Sequence, residues 1–136
     1  MAHSKFHVEV LTPEGEVFND EVEQISTRTT VGSIGVLAHH QPILAMLDPT
    51  ELRLYRTESE VVRFAQAEGY MQMTANHALI LVEEAHPPGD LDAASLRERL
   101  QQAERELETA GDDTEKRRVA ERDKARLETF LSIAER

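Results

Sequence analysis

Period-two hydrophobicity stops at His86-Pro-Pro-Gly-Asp90, and a helical period begins beyond it. Two adjacent prolines remove two backbone donors, and the glycine loosens the backbone after them, so neither a strand ladder nor a helix runs through this segment. A chain of 136 residues with this break in it must fold as two pieces of different secondary structure. The boundaries expected are a β domain over residues 1–86, a linker over 87–90 and a helical piece over 91–136.

The first piece reads as short strands. Phe6, Val8 and Val10 alternate with His7 and Glu9, the signature of a strand with one buried face. A turn is expected at Pro13–Gly15, a β-branched run at 21–30 and another turn at Thr57–Glu60. Gly69 punctuates the chain, and Asn76-His77 turns it once more. The segment Ile43–Leu47, "ILAML", is wholly apolar, as expected for a strand buried on both faces or entering a core. Many short strands separated by polar turns predict an antiparallel β-sandwich or barrel. There is no βαβ alternation and no internal repeat.

The second piece has apolar residues at Leu96, Leu100, Ala103 and Leu107, spaced for one stripe on a helix. Asp92 is the expected N-cap. Gly111 suits the left-handed position after this helix, and Asp112 with Glu115 resembles a capping box for the next. That second helix carries Ala120, Leu127, Phe130, Leu131 and Ala134 on one side. The fold class expected is therefore an N-terminal antiparallel β-sandwich followed by an antiparallel helical hairpin. The stripes are thin. At about 0.8 kcal/mol per buried CH₂ they support only a marginal hairpin, one that leans on another surface and is able to exchange it.

Charge narrows the partners. The net charge of −11 argues against general nucleic-acid binding through phosphates. Residues 90–136 hold 10 of the 15 bases, so the helical piece is the basic one. With no cysteine there is neither a disulfide framework nor thiolate chemistry, and a reducing compartment fits. No run approaches the roughly 18 apolar residues of a membrane span, and the N-terminal segment lacks the apolar centre of a signal peptide.

The residues offer little for catalysis. His39 and His40 are adjacent, and on a strand they would point to opposite faces, which disfavours a shared metal. No metal-ligand spacing is present, and no metal or cofactor is expected. Gly32-Ser33-Ile34-Gly35 lacks the Gly-Lys-Ser/Thr of a phosphate loop, so these glycines are expected to serve a tight turn or a close backbone approach. Arg118, Arg122 and Arg126 fall at i, i+4 and i+8 with Lys124 nearby, and they predict a basic ridge on the second helix. The ridge is either a docking surface for an acidic partner or a solvated face paired with Glu115, Glu121 and Asp123.

Several segments together resemble one family. "VGSIGVLAHHQPIL" is similar to the G-x-[IL]-G-[IV]-L-P-x-H-x-P-[IL]-[IL] segment of the ε subunit of bacterial F-type ATP synthase. Gly32, Ile34, Gly35, Val36, Leu37, His40, Pro42, Ile43 and Leu44 match, while Ala38 replaces the usual proline. "GYMQMTANHALILVEEA" resembles the second signature, with Glu68 where a glycine is common, and "LDPTEL" departs from the usual Pro-Gly turn at Thr50. The resemblance covers the whole chain and extends to the "LSIAER" ending.

It implies a non-catalytic rotor subunit of a proton-translocating enzyme, peripheral to the cytoplasmic face of the bacterial plasma membrane. The sandwich would bind the γ subunit and the ring of c subunits. Gly32, Ser33, Ile34, Gly35, His40 and Pro42 would belong to that interface region, although Ser33 stands where the family often has an acid. The hairpin would fold back or extend into the catalytic head, meet the α and β subunits there, and restrain ATP hydrolysis. Arg118, Arg122, Lys124 and Arg126 would be the regulatory ridge. Some members bind ATP in the hairpin through [IL]-D-x-x-R-A. Leu91 and Asp92 match its start, Ser95 replaces the arginine and Leu96 the alanine. Arg126 remains, but Phe130 stands where another arginine is usual. ATP binding is expected to be weak or absent. Two other classes stay open on the residues alone. One is a free-standing β-sandwich ligand binder with a helical oligomerisation hairpin, and the other is a His-dependent metalloenzyme.

Overall fold

The computed structural model describes residues 3–136, so the first two positions of the expected sandwich lie outside the described residues. The chain divides after Pro87 into two compact units.

Among the described residues the first unit contains ten strands: β1 Phe6–Thr12, β2 Gly15–Val22, β3 Gln24–Thr29, β4 Gly32–Leu37, β5 Ile43–Leu47, β6 Thr50–Tyr55, β7 Val61–Gln66, β8 Gly69–Thr74, β9 His77–Val82 and β10 Ala85–His86. They run in the order β10-β7-β6-β3-β5-β8-β9-β1-β2, with β4 added on β3. The turn in this sheet occurs within β3. Residues Gln24–Ser26 pair with β6, whereas Thr29 pairs with Leu47 of β5. One strand thus serves both layers of a sandwich. The layers bury one shared interior that includes Val8, Val10, Ile25, Leu52, Leu54, Met71, Met73 and Ile80, all of them fully buried. One pairing departs from the antiparallel expectation. β1 and β9 run parallel, with Val8 opposite Ala78 and Val10 opposite Ile80. A parallel pair needs a long crossover, and strands β2–β8 supply it.

Two details show how the layers are held. Gln66 is fully buried and fully bonded: its Nε2 donates to the carbonyls of Asp48 and Ala67, and Thr27 Oγ1 donates to its Oε1 at 2.6 Å. A buried amide left unpaired would be costly, so this network fixes where β3, β7 and the β5–β6 connection meet. Gly69 is required by space. A Cβ there would lie 2.0 Å from the carbonyl oxygen of Leu81 and 2.7 Å from Cα of Val82.

The second unit opens with a 3₁₀ turn at Pro88–Asp90, followed by α1 Ala93–Thr109 and α2 Thr114–Ala134. Asp92 caps α1 by accepting from the amides of Ala94 and Ser95. Gly111 takes the left-handed conformation, with φ of 57°. The cap of α2 is Asp113, whose Oδ1 accepts from Lys116 N, and not Asp112 as the capping-box pattern predicts. One residue more is needed to complete the turn after Gly111, where the Asp113 amide bonds the Ala110 carbonyl. Leu96 and Ala103 of α1 are buried, as are Ala120, Leu127, Phe130 and Ile133 of α2. Leu131 and Ala134 are only partly covered, and Ile133 carries the burial that the sequence pattern places on them.

Candidate functional site

Of the two expectations for β5, entry into the core holds through Leu47 and burial on both faces does not. β5 is wholly apolar, yet it is not buried on both faces: Leu44 is 75 % exposed and Met46 55 %. A strand alternates its side chains, and only one side of β5 faces the sandwich interior, so the other side brings its apolar residues to the surface. The register continues this row. Met46 lies opposite Tyr70 of β8, Tyr70 opposite Leu81 of β9, and Leu81 opposite Leu11 of β1. Tyr70 and Leu81 are themselves exposed. Met46, Tyr70 and Leu81 also line a concavity of about 480 Å³ with Leu11, Pro13 and Glu83. Four adjacent strands therefore present one apolar band, the kind of feature that marks an interaction surface.

One end of this face is polar. His7 and His77 are register partners, with ring centroids 5.2 Å apart. Glu9 stands 3.5 Å from His77 Nε2 and 4.0 Å from His7 Nε2, and His7 Nε2 also meets Asn19 Oδ1. Among the described residues no group of three or more His, Asp or Glu side chains is placed to hold a metal ion.

The adjacent histidines of the sequence take structural positions. His39 adopts φ of 65°, and its amide donates to Asn76 Oδ1 at 2.7 Å. His40 closes the turn by donating its amide to the Leu37 carbonyl, and its Nδ1 meets the Gln41 carbonyl at 2.7 Å. The sequence marks Asn76 only as part of a turn. It has φ of 63° in the β8–β9 connection, and its carbonyl accepts from His7 N. Asn76 therefore ties the His39–His40 turn to the start of β1. An Asn beside a strand-bounding turn is the signal for its left-handed backbone, but nothing local discloses its reach across 37 residues.

Gly32, Ser33, Ile34 and Gly35 form the start of β4, and Pro42 directly precedes β5. Gly32 has φ of 140°, and the hairpin before it is held by Thr29, whose Oγ1 accepts from Val31 N and donates to the Gly32 carbonyl. Gly32 and Ser33 open β4, Ile34 and Gly35 lie within it opposite Thr27 and Ser26, and the apolar band is a separate feature of the same unit.

The opposite layer carries charge on its outer face. Arg53 of β6 is registered with Arg63 of β7, and Glu51 lies 2.7 Å from Arg53 Nε and 3.6 Å from Arg63 Nε. The hydrogen bond to Glu51 holds Arg53 more firmly protonated than usual.

In the helical unit the four bases of the expected ridge separate. Arg118 is exposed and pairs with Glu115 at 2.6 Å, Arg122 pairs with Asp123 at 3.2 Å, and Lys124 lies 3.8 Å from Glu128. Arg126 is buried. It lines an interhelical groove of about 360 Å³ together with Arg99, Glu106, Asp123 and Leu127. Eight residues advance a helix by more than two turns, which rotates Arg126 away from Arg118 and into the helix pair. Of the nucleotide-motif positions, Asp92 uses its carboxylate to cap α1, and Ser95 supplies one of the amides it accepts from.

Known proteins resemble this chain in sequence and fold. Residues 5–88 match the family described as ATP synthase, Delta/Epsilon chain, beta-sandwich domain. The chain is 34% identical to the ATP synthase epsilon chain of Persephonella marina, covering 95% of this chain and 96% of that one. It is 32% identical to that of Halalkalibacterium halodurans, covering 96% and 97%. Among solved structures it is similar to a chain in the Euglena gracilis mitochondrial ATP synthase OSCP/F1/c-ring, with a TM-score of 0.77, 22% identity, and coverage of 97% and 82%. It is also similar to a chain in the central stalk/c-ring structure from Tetrahymena thermophila, with a TM-score of 0.65, 20% identity, and coverage of 98% and 99%. At these identities the structural matches establish the fold.

Proposed function

Because this chain belongs to the ATP synthase delta/epsilon chain family, we propose that it is the central-stalk subunit of the enzyme, coupling rotation of the c-ring to the catalytic head and restraining ATP hydrolysis through α1 and α2. It is a non-catalytic subunit. The observation that carries the reading is agreement along the whole chain: the relatives align over sandwich and hairpin together, not over the sandwich alone.

The surface chemistry supports a division of labour. The Met46–Tyr70–Leu81–Leu11 band is assigned to the γ subunit, since a stable rotor contact needs a desolvated apolar centre. Gly32, Ser33, Ile34 and Gly35 of β4, with His40 and Pro42 of the β4–β5 connection, are assigned to the interface region that continues toward the ring. Arg118 and Arg122 are assigned to acidic surfaces of the head, with Arg126 inside the hairpin. No helix among the described residues is long and apolar enough to cross a membrane. The subunit belongs to the membrane-peripheral part of the enzyme, and we place it on the cytoplasmic face.

Reconstitution tests the reading. Full-length chain should bind a γ-containing head and lower its ATP hydrolysis. A chain ending at Gly89 should still bind and should release that restraint. Failure of the full-length chain to bind γ would sink the proposal. Equal hydrolysis with both chains would remove the regulatory half of it.

A further inference from the structure

The polar end of the β5–β8–β9–β1 face is continuous with the apolar band. Beyond the Met46–Tyr70–Leu81–Leu11 row, the register places two more rows on the same outer side. In the first, Leu44 lies opposite Gln72, Gln72 opposite Leu79, and Leu79 opposite Glu9. In the second, Thr74 lies opposite His77, and His77 opposite His7. Four residues of strand cover about 13 Å, so the histidine pair stands about that far from Leu11 and Leu81. A protein contact of ordinary size covers about 800 Å² per partner, enough to reach from the band to this pair.

Glu9 lies between the band and the histidines. Among the described residues only two imidazoles approach its carboxylate, His77 Nε2 at 3.5 Å and His7 Nε2 at 4.0 Å. The His7 ring already meets Asn19 Oδ1, and the Asn19 amide donates to Glu16. With both rings neutral, water is what solvates the Glu9 carboxylate, and a partner covering it would strand a bare negative charge. With a ring protonated, the same contact is an ion pair and can be covered. The other charged groups at this end are Glu21, opposite His7 on β2, and Lys5, two residues before His7, and both are exposed. The β8 residues Thr74 and Gln72 do not titrate, and His39 is tied to this end through the Asn76 side chain.

We infer that His7, His77 and Glu9 make docking on this face proton-linked: binding of the γ-containing head draws protons onto the histidine pair, and the contact tightens as pH falls. The linkage rests on the assignment of this face to γ and adds its dependence on pH. Histidine changes charge between about pH 5 and 8, so affinity is highest at the acid end of that window and falls as pH rises through it.

The test measures binding of the full-length chain to the γ-containing head at three pH values. The unsubstituted chain should bind about tenfold more weakly at about pH 8 than at about pH 6, and calorimetry in two buffers of different ionisation heat should show net proton uptake on binding. Glu9→Gln keeps the shape and removes the charge. It should bind at the alkaline end as tightly as the unsubstituted chain binds at the acid end, a gain that misfolding cannot produce. His7→Gln combined with His77→Gln leaves the carboxylate bare throughout, so it should bind weakly at every pH. A flat profile for the unsubstituted chain, weaker binding by Glu9→Gln, or the full pH dependence retained in both variants would overturn the inference. No binding of the unsubstituted chain at any of the three values would instead overturn the rotor reading.

Discussion

The two outer faces of the sandwich are built by the same alternation and end in different surfaces. On the face of β5, β8, β9 and β1, the outward positions are Met46, Tyr70, Leu81 and Leu11, a band across four strands. On the face of β6 and β7, the outward positions Arg53 and Arg63 share Glu51. A β-sandwich needs only its inner faces to be apolar. The second face meets that minimum and is solvated. The first exceeds it, and the excess is what an interface requires.

The contrast can be broken at its base with Gly69→Val. Its side chain would collide with the backbone of Leu81 and Val82 and pry β8 from β9 beneath the apolar band. A loss of about 3 kcal/mol or more in denaturant unfolding is expected, and a stability within about 0.5 kcal/mol of the parent would show that the strands separate easily. The contrast is sharpened by Met46→Asp combined with Tyr70→Asp. Both side chains are exposed, so the melting temperature should hold while affinity for the γ-containing head drops about a hundredfold. Unaltered affinity would move the docking surface elsewhere. Arg53→Ala on the opposite face serves as the control. The pair it breaks is partly exposed, so at most about 1 kcal/mol of stability and no head affinity should be lost.

The hairpin supplies two finer tests. Its groove sets Arg99 and Arg126 against Glu106 and Asp123, which leaves no net positive charge for a polyanionic nucleotide. Calorimetry with the full chain should detect ATP binding no tighter than the millimolar range, and micromolar affinity would contradict this. The smallest effect concerns Glu115. Its hydrogen bond from Arg118 holds the carboxyl below the usual carboxylate range. The folded value is depressed, so the pair's contribution is present above the unfolded carboxylate value and fades as pH falls through the folded one. An NMR titration should show Glu115 protonating at lower pH than an unpaired glutamate, and Arg118→Ala should bring it back up.

Much of the architecture was legible in the residues. The Pro-Pro-Gly break, the alternation of Phe6, Val8 and Val10, the cap at Asp92 and the left-handed Gly111 each reflect local backbone chemistry, which a short window contains. Family membership was legible for a related reason, since the Gly32–Leu44 segment and the Gly69–Ala85 segment keep their residue types in order. The exposed apolar band was hidden. "ILAML" reads the same whether both of its faces are covered or one is bare, because alternation is invisible in a strand that is apolar throughout.

Local sequence determined where strands and helices begin, where they stop and which residues alternate, because those properties arise from dihedral preferences and side-chain period. The tertiary structure alone decided that β3 passes from β6 to β5, which of the two apolar sides of β5 faces water, that Asn76 reaches His39, and that Arg126 leaves the exposed ridge for the interhelical groove. Each of these depends on which strand or helix lies alongside, and contacts between segments far apart in the chain set that.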